Sequence, residues 1–482
     1  MLIMRYKVIF PVLIIILINL ISKSTLAQSR QQQKTDSIFT LVSQNLKDKN
    51  ADGIYALTGE AFKKALSLDA FRSVANQQLF PLGVIKRATL TSFLNNKTAT
   101  YKVQFETLTM EVLLSLDEKD KLDLFYFKPF KIESPDKLEI IPTSNPLKTV
   151  QDRQVDSVAR PYIQKLNTVG LSIAVIKNGQ VSLYNYGETM RMGGQLPNAE
   201  TVYEIGSITK TFTAAILASY VNAGKIKLTD PITKYLPDSV AANPALKDVT
   251  VVSLSNHTSG LPSLPDNFGD QKDYNKLNPY KNYNKQLLFA YLKTCTLVTK
   301  PGEKYAYSNL AVGLLGTILE RISGKSFEQL VADVVTGPLG MKSTVQHVYP
   351  MLTNRFVTVY SEDGKPTPPW DFDALASCGS LRSDIDDLVL YAKANLNDDA
   401  NTPLAKVLKL THEITFTKEP KLGLAWHIIV VNGVSYYFHN GGTYGSSSFL
   451  AFNKDKKLAV IVLSNAAAST DAVGAGILKK LQ

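Results

Sequence analysis

The sequence predicts an α+β protein in which a small module precedes a larger one. Apolar residues recur at helical spacing over residues 30–83, and the spacing changes to two from residue 84. Strand-like alternation returns near residue 171 and again after residue 422, with helical and loop segments between. The larger module should therefore contain one antiparallel sheet closed by its two termini, a separate helical lobe, and a cleft between sheet and lobe.

Residues 1–27 are predicted to be an export signal. Arg5 and Lys7 precede an apolar run over residues 8–21, and Thr25-Leu26-Ala27 offers small residues for cleavage. The run is shorter than the about 20 residues that span a bilayer. We therefore expect an exported protein, periplasmic or secreted, with no stable membrane span after the signal is removed. An uncleaved anchor is the alternative.

Composition argues against several function classes. The formal net charge of the 482 residues is +11, but the basic residues are scattered rather than gathered in a track, so we expect no nucleic-acid partner. The five histidines show no metal-ligand spacing, so we expect no metal and no cofactor. Cys295 and Cys378 are too few for a disulfide framework, which leaves one bridge or two buried thiols.

Residues 28–132 are predicted to form the small module. Two or three helices over residues 30–83 precede four strands, at residues 88–93, 98–106, 108–116 and 121–127. This order resembles the cone-shaped ketosteroid-isomerase-like modules that often precede hydrolase domains in exported bacterial proteins. The module contains no acid–base constellation, so we expect a binding or packing role. The proline-containing segment 133–149 is predicted to be a linker.

The larger module, residues 150–482, is predicted to start with a helix and a hairpin. The helix covers residues 150–166, and the hairpin, residues 171–186, turns at Asn178-Gly179. Further helices are expected at residues 207–222, 310–323 and 384–397, and a long surface loop near the cleft at residues 265–283. The C-terminal part should contain strands 422–431, 434–440, 446–452 and 457–463, with Asn432-Gly433 as one turn, and then a helix at residues 470–481.

Ser207 and Lys210 stand at the start of a nearly uncharged segment. Lys210 is the only charged residue between Glu204 and Lys225, and apolar residues on all sides predict a buried helix. Positions three apart share one helix face, so the amine can reach the hydroxyl. A lysine with a lowered pKa can take the serine proton, and the helix N-terminus favours the negative charge that develops.

The Ser-x-x-Lys pattern alone does not establish this role. A second match, Ser134-Pro135-Asp136-Lys137, contains a proline and falls in the predicted linker, where we interpret it as chance. Partners from elsewhere in the chain must therefore support the assignment of Ser207.

Tyr307 and Asn309 precede the predicted helix at residues 310–323. Beside the Lys210 ammonium, we expect the pKa of the Tyr307 phenol to fall, which would fit it for acid–base work. Asn309 can donate a hydrogen bond to a substrate carbonyl. A packed aromatic is the alternative for Tyr307, because Tyr-x-Asn also occurs at Tyr220 and Tyr280.

The segment His439-Asn440-Gly441-Gly442 ends one predicted strand. Glycines beside a cleft let a substrate backbone approach closely. The amides of Gly442 and Ser207 could form an oxyanion hole. His439 could orient the substrate or relay a proton near pH 7. A histidine without a role at a hairpin end is the alternative.

Together these segments place Ser-x-x-Lys, Tyr-x-Asn and His-x-Gly in that order, at residues 207, 307 and 439. This resembles the serine β-lactamase and penicillin-binding protein superfamily, over about residues 150–482. More narrowly, it resembles the class C β-lactamase-related branch with D-alanyl-D-alanine carboxypeptidases, D-aminopeptidases and esterases. Further matches lie in Asn256–Leu261, Pro301–Asn309 and Cys378–Ser383.

The resemblance implies a role for each of these residues. Ser207 would be the acyl-enzyme nucleophile and Lys210 its activating base. Tyr307 would be the acid–base group that serves the leaving group and the deacylating water. Which of Lys210 and Tyr307 deprotonates the serine stays open. Asn309 would bind substrate.

The residues at the predicted sheet edge match the family pattern in part and depart from the β-lactamase pattern at His439. The resemblance implies that His439, Gly441 and Gly442 line the substrate there. Efficient class C β-lactamases have lysine at the position of His439, whereas histidine is usual among the peptidase and esterase relatives. Histidine weakens the fixed positive charge that would meet a β-lactam carboxylate, so we expect weak or no β-lactam hydrolysis.

The sequence thus predicts an exported serine hydrolase for small amides, peptides or esters related to D-amino acids or cell-wall peptide. Its partner would be a small-molecule or peptide substrate, with peptidoglycan as a candidate. The alternative is a penicillin-recognising or catalytically silent cell-wall-binding protein. A nucleophile-elbow α/β-hydrolase is disfavoured because the sequence contains no Gly-x-Ser-x-Gly.

Overall fold

A computed structural model describes residues 30–94, 97–105, 109–129, 141–397 and 401–482. The chain divides into two compact units, Met1–Glu133 and Ser134–Gln482. The predicted export signal and much of the predicted linker lie outside the described residues, so both stay predictions. Within the described ranges, no helix is both long and apolar enough to cross a bilayer.

The first unit contains helices followed by a sheet. Its helices are α1 (Arg30–Lys47), α2 (Ala51–Ala56), α3 (Glu60–Ala65) and α4 (Leu68–Val74), followed by a π-helical turn (Ala75–Leu79) and a 3₁₀ turn (Phe80–Leu82). Its strands are β1 (Ile85–Leu94), β2 (Thr98–Phe105), β3 (Thr109–Leu116) and β4 (Leu122–Pro129), all antiparallel in the order β1-β2-β3-β4.

The helical part of this unit has more helices than the sequence predicts. Asn50 accepts a hydrogen bond from the Gly53 amide, and Ser67 accepts one from the Ala70 amide. Each side chain caps the start of a new helix, so the chain is divided at both points. The core forms against one face of the sheet, where Tyr101 of β2 stacks on Phe39 of α1 with ring centroids 4.1 Å apart.

The second unit is built on a six-stranded antiparallel sheet. After helix α5 (Val150–Ile163), its strands are β5 (Gly170–Lys177), β6 (Gln180–Gly187), β11 (His427–Val431), β12 (Val434–Gly442), β13 (Ser447–Asn453) and β14 (Leu458–Ser464). They lie side by side in the order β11-β12-β13-β14-β5-β6. Because β14 pairs with β5, the last strand of the unit closes the sheet on the first. The predicted closure by both termini is confirmed.

Both Asn-Gly turns are present as predicted. The φ angles are 51° at Asn178 and 81° at Gly179, and 51° at Asn432 and 80° at Gly433. Positive φ at both central residues is the geometry that makes a two-residue hairpin turn match the twist of its strands. Asparagine and glycine tolerate it, which is why these turns could be located from sequence.

The sheet is covered on both faces. Ala459, Ile461 and Leu463 of β14 pack into the core shared with the helical lobe. The intervening residues Leu458, Val460 and Val462 pack on the other face, where α5 and the C-terminal helix α16 (Asp471–Leu481) lie. Alternate residues point to opposite faces of a strand, so both faces of β14 are apolar.

The helical lobe lies between β6 and β11 in the chain. Its helices are α6 (Thr209–Asn222), α7 (Asp238–Ala241), α8 (Val251–Ser255), α9 (Lys285–Leu292), α10 (Asn309–Ser323), α11 (Phe327–Val331), α12 (Gly337–Leu339), α13 (Pro350–Thr353), α14 (Ile385–Leu396) and α15 (Pro403–His412). The same stretch of chain also contains two short strand pairs: β7 (Tyr203–Glu204) pairs with β10 (Arg382–Ser383), and β8 (Val359–Tyr360) pairs with β9 (Pro366–Thr367).

Two predicted segments differ from the structure. The segment 265–283 is not a surface loop throughout, because Phe268 packs against Tyr280 and Tyr283 with centroids 5.0 and 5.3 Å away. All three rings are buried. The strand predicted from residue 422 begins only at His427, since Ala425 has a φ of 62°, which breaks an extended chain.

The end of β12 lies against the turn that contains Ser207. A Cβ atom on Gly441 would come within 2.1 Å of the Ile205 carbonyl oxygen and 2.9 Å of the Ser207 nitrogen. These are backbone atoms, so they cannot rotate away. Gly441 therefore lets the sheet edge approach the turn closely.

We expect Gly441→Ala to lower the free energy of unfolding by about 2 kcal/mol, because the added methyl group overpacks this contact. Gly442→Ala is the matched control, since its Cβ would have its nearest neighbour 3.9 Å away. We expect it to cost less than about 1 kcal/mol. Urea unfolding of both variants measures the difference, and equal losses would contradict the packing described.

Candidate active site

Ser207 lies in a 3₁₀ turn, Gly206–Ile208, directly before α6. The sequence predicts the first turn of a buried helix at this point, and every residue from Thr209 to Ala218 is buried. Gly206 has a φ of 48°, a conformation that glycine adopts without strain. The Ser448 hydroxyl of β13 donates to the Ile205 carbonyl at 2.8 Å and fixes the turn against the sheet.

Lys210 joins three parts of the chain. Its Nζ donates to Ser207 Oγ at 2.9 Å, to Asn309 Oδ1 at 2.8 Å and to the Cys378 carbonyl at 2.6 Å. These acceptors match the three hydrogens of an ammonium group. The side chain is fully buried, and this burial lowers its pKa to about 8. In a fraction of the molecules, Lys210 is therefore a neutral amine near pH 7 to 8 and can accept a proton.

Tyr307 also bonds to Ser207. Its hydroxyl donates to Ser207 Oγ at 2.7 Å, and Lys210 Nζ lies 4.8 Å from the centroid of its ring. Burial raises the pKa of the Tyr307 phenol above its usual value, and the neighbouring ammonium does not reverse this. The prediction of a lowered phenol pKa is wrong because desolvation by burial outweighs the lowering by the Ser207 hydrogen bond. At neutral pH the phenol keeps its proton and is a donor.

Asn309 is the first residue of α10, and both the oxygen and the nitrogen of its side-chain amide are hydrogen-bonded. Its Oδ1 accepts from Lys210, and its Nδ2 donates to the Tyr280 hydroxyl at 3.1 Å. One Nδ2 hydrogen is left to meet a substrate carbonyl. Sequence analysis missed the roles of Tyr280 and of the Cys378 carbonyl. Tyr280 stands out in the sequence only as a further Tyr-x-Asn match, and a carbonyl ligand leaves no side-chain pattern to find.

The Gly442 amide is placed beside the nucleophile. The Thr443 amide donates to the Ser446 carbonyl at 3.0 Å, and hydrogen-bonded pairs alternate along an antiparallel ladder. The Gly442 N–H therefore points away from β13. A Cβ on Gly206 would lie 2.7 Å from the Gly442 nitrogen, which shows how near this amide is to the turn. The amides of Ser207 and Gly442 are thus positioned to bind one oxygen together.

The structure does not bring His439 into this hydrogen-bonded set. Its Nδ1 bonds to the Asn440 carbonyl at 2.6 Å, and its side chain is 1% exposed. Burial, and then the nearby His427 and Lys210, hold the pKa of His439 well below its usual value. The ring is therefore neutral near pH 7, and its role in orienting the substrate or relaying a proton stays a prediction.

His257 supports Tyr307 from behind, and sequence reasoning gave it no role beyond a family match. Its Nδ1 accepts from the Ser308 amide at 3.2 Å, and its carbonyl accepts from the Ala306 amide at 2.8 Å. Its ring centroid lies 4.4 Å from that of Tyr307. Burial holds the pKa of His257 well below its usual value, so the ring is a neutral acceptor.

The remaining predictions about side-chain chemistry concern metals and thiols. In the ranges that the structure describes, no group of three or more His, Cys, Asp or Glu side chains could hold a metal ion. Cys295 and Cys378 are both buried free thiols, so the bridge considered from sequence does not form.

Known proteins share this arrangement of sequence and fold. A profile described as Beta-lactamase matches residues 155–481. A Beta-lactamase of Pseudomonas fluorescens is 28% identical over 346 residues, which cover 64% of this chain and 92% of the relative. The D-alanyl-D-alanine-carboxypeptidase/endopeptidase AmpH of Escherichia coli (strain K12) is 30% identical over 288 residues, which cover 56% of this chain and 72% of the relative.

Solved structures agree. A solved structure of a class C beta-lactamase superposes with a TM-score of 0.61 at 25% identity, covering 69% of this chain and 96% of that one. A Beta-Lactamase/D-Alanine Carboxypeptidase from Pseudomonas syringae superposes with a TM-score of 0.62 at 23% identity, covering 69% and 98%, and supports the fold. Because the family profile matches more than half of the chain, this protein belongs to the Beta-lactamase family of serine hydrolases.

Proposed function

We propose that this protein hydrolyses small amides, peptides or esters related to D-amino acids through an acyl-enzyme on Ser207, and that β-lactams are poor substrates. The observation that carries the proposal is the pair of contacts on Ser207 Oγ, 2.9 Å from Lys210 Nζ and 2.7 Å from the Tyr307 hydroxyl. A nucleophile within hydrogen-bond reach of a base and of an acid has the geometry that acyl transfer requires.

The directions of the Lys210 and Tyr307 pKa shifts assign the roles of these two residues in acylation. The neutral Lys210 amine takes the Oγ proton as Oγ attacks the carbonyl carbon, since its pKa of about 8 is close to working pH. The carbonyl oxygen gains charge between the amides of Ser207 and Gly442. Tyr307, which keeps its proton, gives it to the leaving group as the bond to that group breaks. The Lys210 ammonium then returns a proton to the phenolate.

Deacylation reverses these steps with water in place of the leaving group. A water that bonds to Tyr307 and Lys210 loses a proton to this pair as it attacks the acyl carbon. Ser207 Oγ recovers a proton as the ester bond breaks, which restores the starting state.

The substrate preference rests on charge. His439 is neutral, so no fixed cation at that position meets a β-lactam carboxylate. The AmpH relative is named as a carboxypeptidase and endopeptidase, which supports peptide substrates, whereas other relatives are named Beta-lactamase. The predicted export signal would take the protein to the compartment where cell-wall peptides occur, with peptidoglycan as a candidate partner.

Covalent labelling tests the nucleophile. We expect a fluorophosphonate, and a penicillin, each to add one adduct per chain, located on the peptide that contains Ser207 by intact mass and peptide mapping. Ser207→Ala should abolish labelling. Ser134→Ala, which removes the serine of the second Ser-x-x-Lys match, is the matched control and should label normally. Labelling that persists in Ser207→Ala contradicts the proposal.

Turnover separates a hydrolase from a silent binder. A chromogenic cephalosporin, a D-alanyl dipeptide and p-nitrophenyl acetate are compared at equal concentration. We expect steady turnover of the peptide or the ester and slow turnover of the cephalosporin. A single burst with all three would instead support the penicillin-recognising alternative, and fast cephalosporin turnover would overturn the substrate preference.

His257 variants test how Tyr307 is held. His257→Ala leaves the buried Ser308 amide without its acceptor and the Tyr307 ring without its neighbour. An unpaired buried N–H costs about 1–3 kcal/mol, and loss of alignment should lower kcat about tenfold or more for a D-alanyl dipeptide, whose amine leaving group needs a proton. His257→Asn restores an acceptor near the position of Nδ1, so we expect partial recovery of kcat.

The comparison of kcat with KM identifies a positioning role. Tyr307 acts on the leaving group, so kcat should fall while KM changes little. His347→Ala is the control, since His347 is an exposed histidine of the same lobe. Equal kcat in wild type and His257→Ala, with both folded by circular dichroism, would show that His257 does not position Tyr307.

A further inference from the structure

Three aromatic rings form a row on one side of Ser207, which we call the aromatic wall: Tyr280, Trp370 and Tyr444. The centroids of Tyr280 and Trp370 lie 5.1 Å apart, and those of Trp370 and Tyr444 lie 4.9 Å apart. Tyr280 is buried, Trp370 is partly buried, and Tyr444 is 45% exposed. The wall thus runs from the interior of the lobe to the surface.

Both ends of the aromatic wall are tied to the site. At the inner end, the Tyr280 hydroxyl accepts from Asn309 Nδ2 at 3.1 Å. At the outer end, Tyr444 follows Gly442 by two residues, in the loop between β12 and β13. The wall therefore borders the space between Asn309 and the sheet edge.

The buried carboxylate of Glu204 connects the middle of the aromatic wall, at Trp370, to the loop that carries its outer end, Tyr444. Glu204 accepts from the Trp370 amide at 2.6 Å through one oxygen and from the Thr443 hydroxyl at 2.7 Å through the other. Glu204 is 3% exposed and lies two residues before the turn, Gly206–Ile208, that contains Ser207. The backbone at Trp370 and the loop of Tyr444 are therefore fixed relative to the nucleophile.

The chemistry of acyl transfer decides which part of a substrate meets the wall. A carbonyl carbon that bonds to Ser207 Oγ carries an oxygen, a leaving group and an acyl group. The oxygen lies between the amides of Ser207 and Gly442, and the leaving group lies at the Tyr307 hydroxyl. The acyl group must take the remaining direction, toward Asn309 and the wall.

Resting on the function proposed above, we propose that the aromatic wall selects substrates whose acyl group carries an aromatic or large apolar side chain. Exposed aromatic surface beside a polar site gains from covering by another ring, because offset and edge-to-face contacts add to area burial. Trp370 and Tyr444 are the specificity residues, and Tyr280 positions Asn309. The favoured class is an amide or ester of an arylacyl or similar bulky acyl group.

A pair of esters with the same leaving group tests this. The ratio of kcat/KM for p-nitrophenyl phenylacetate to that for p-nitrophenyl acetate should favour phenylacetate in the wild type. In Tyr444→Ala the ratio should fall about tenfold, because the phenylacetyl ring no longer packs against the phenol ring. Tyr444→Phe should keep the ratio because it keeps the ring.

Tyr349→Ala is the matched control for this measurement. Tyr349 is 47% exposed, like Tyr444, but it lies elsewhere on the lobe, where its hydroxyl donates to Glu328 at 2.8 Å. Its ratio should equal that of the wild type. An unchanged ratio in Tyr444→Ala, or an equal fall in Tyr349→Ala, would overturn the proposal.

Tryptophan fluorescence tests binding without turnover. The chain has two tryptophans, and Trp426 is fully buried, so a ligand on the wall acts on Trp370. Phenylacetate should change the emission saturably, acetate should not, and Trp370→Phe should abolish the change. A response that survives in Trp370→Phe, or no response to phenylacetate, would overturn the proposal. If Ser207 fails to label but the fluorescence responds, the proposed function falls and the wall stands.

Discussion

The Lys210 side chain has no exposure to solvent and belongs to an apolar helix. Its ammonium group therefore needs hydrogen-bond acceptors for all three of its protons. Lys210 finds them in Ser207, Asn309 and the Cys378 carbonyl, residues from three separate parts of the chain. Removing an ammonium from water costs several kcal/mol unless such bonds replace its hydration. The helical lobe must therefore bring the start of α6, the start of α10 and the turn at Cys378 together. The same burial that demands this convergence lowers the pKa of the lysine to about 8 and makes it a usable base.

The sheet completes the site by supplying a second amide. Gly441 lets the end of β12 approach the Ser207 turn, because any side chain there would meet the Ile205 carbonyl. The Gly442 N–H, which faces away from β13, then lies beside the nucleophile. Glu204 links the two halves, since its carboxylate bonds to Thr443 after β12 and to the Trp370 amide of the lobe. Amine, phenol and oxyanion donors are thus fixed before any substrate arrives, which is the preorganisation that acyl transfer rewards.

Local patterns predicted what depends on local physics. The uncharged run around Lys210 indicated a buried helix, and the Asn-Gly pairs located two hairpin turns, because both signals arise from a few neighbouring residues. The rest depends on contacts between distant segments. Tyr280 could not be recognised as a partner of Asn309, since its burial comes from Phe268 and the lobe core. The predicted direction of the Tyr307 pKa shift was wrong because the sequence shows the charge beside the phenol but not how completely the phenol is buried.

The most direct test of this account is the pH dependence of Ser207 labelling by a fluorophosphonate. A base acts in its neutral form, so the rate should rise with pH as Lys210 loses its proton and level off above its pKa of about 8. The Tyr307 phenol, whose pKa is raised, should stay protonated across that rise. A rate that is flat across this range, or that rises only near the usual lysine pKa of about 10.4, would contradict the claim that burial makes Lys210 the base.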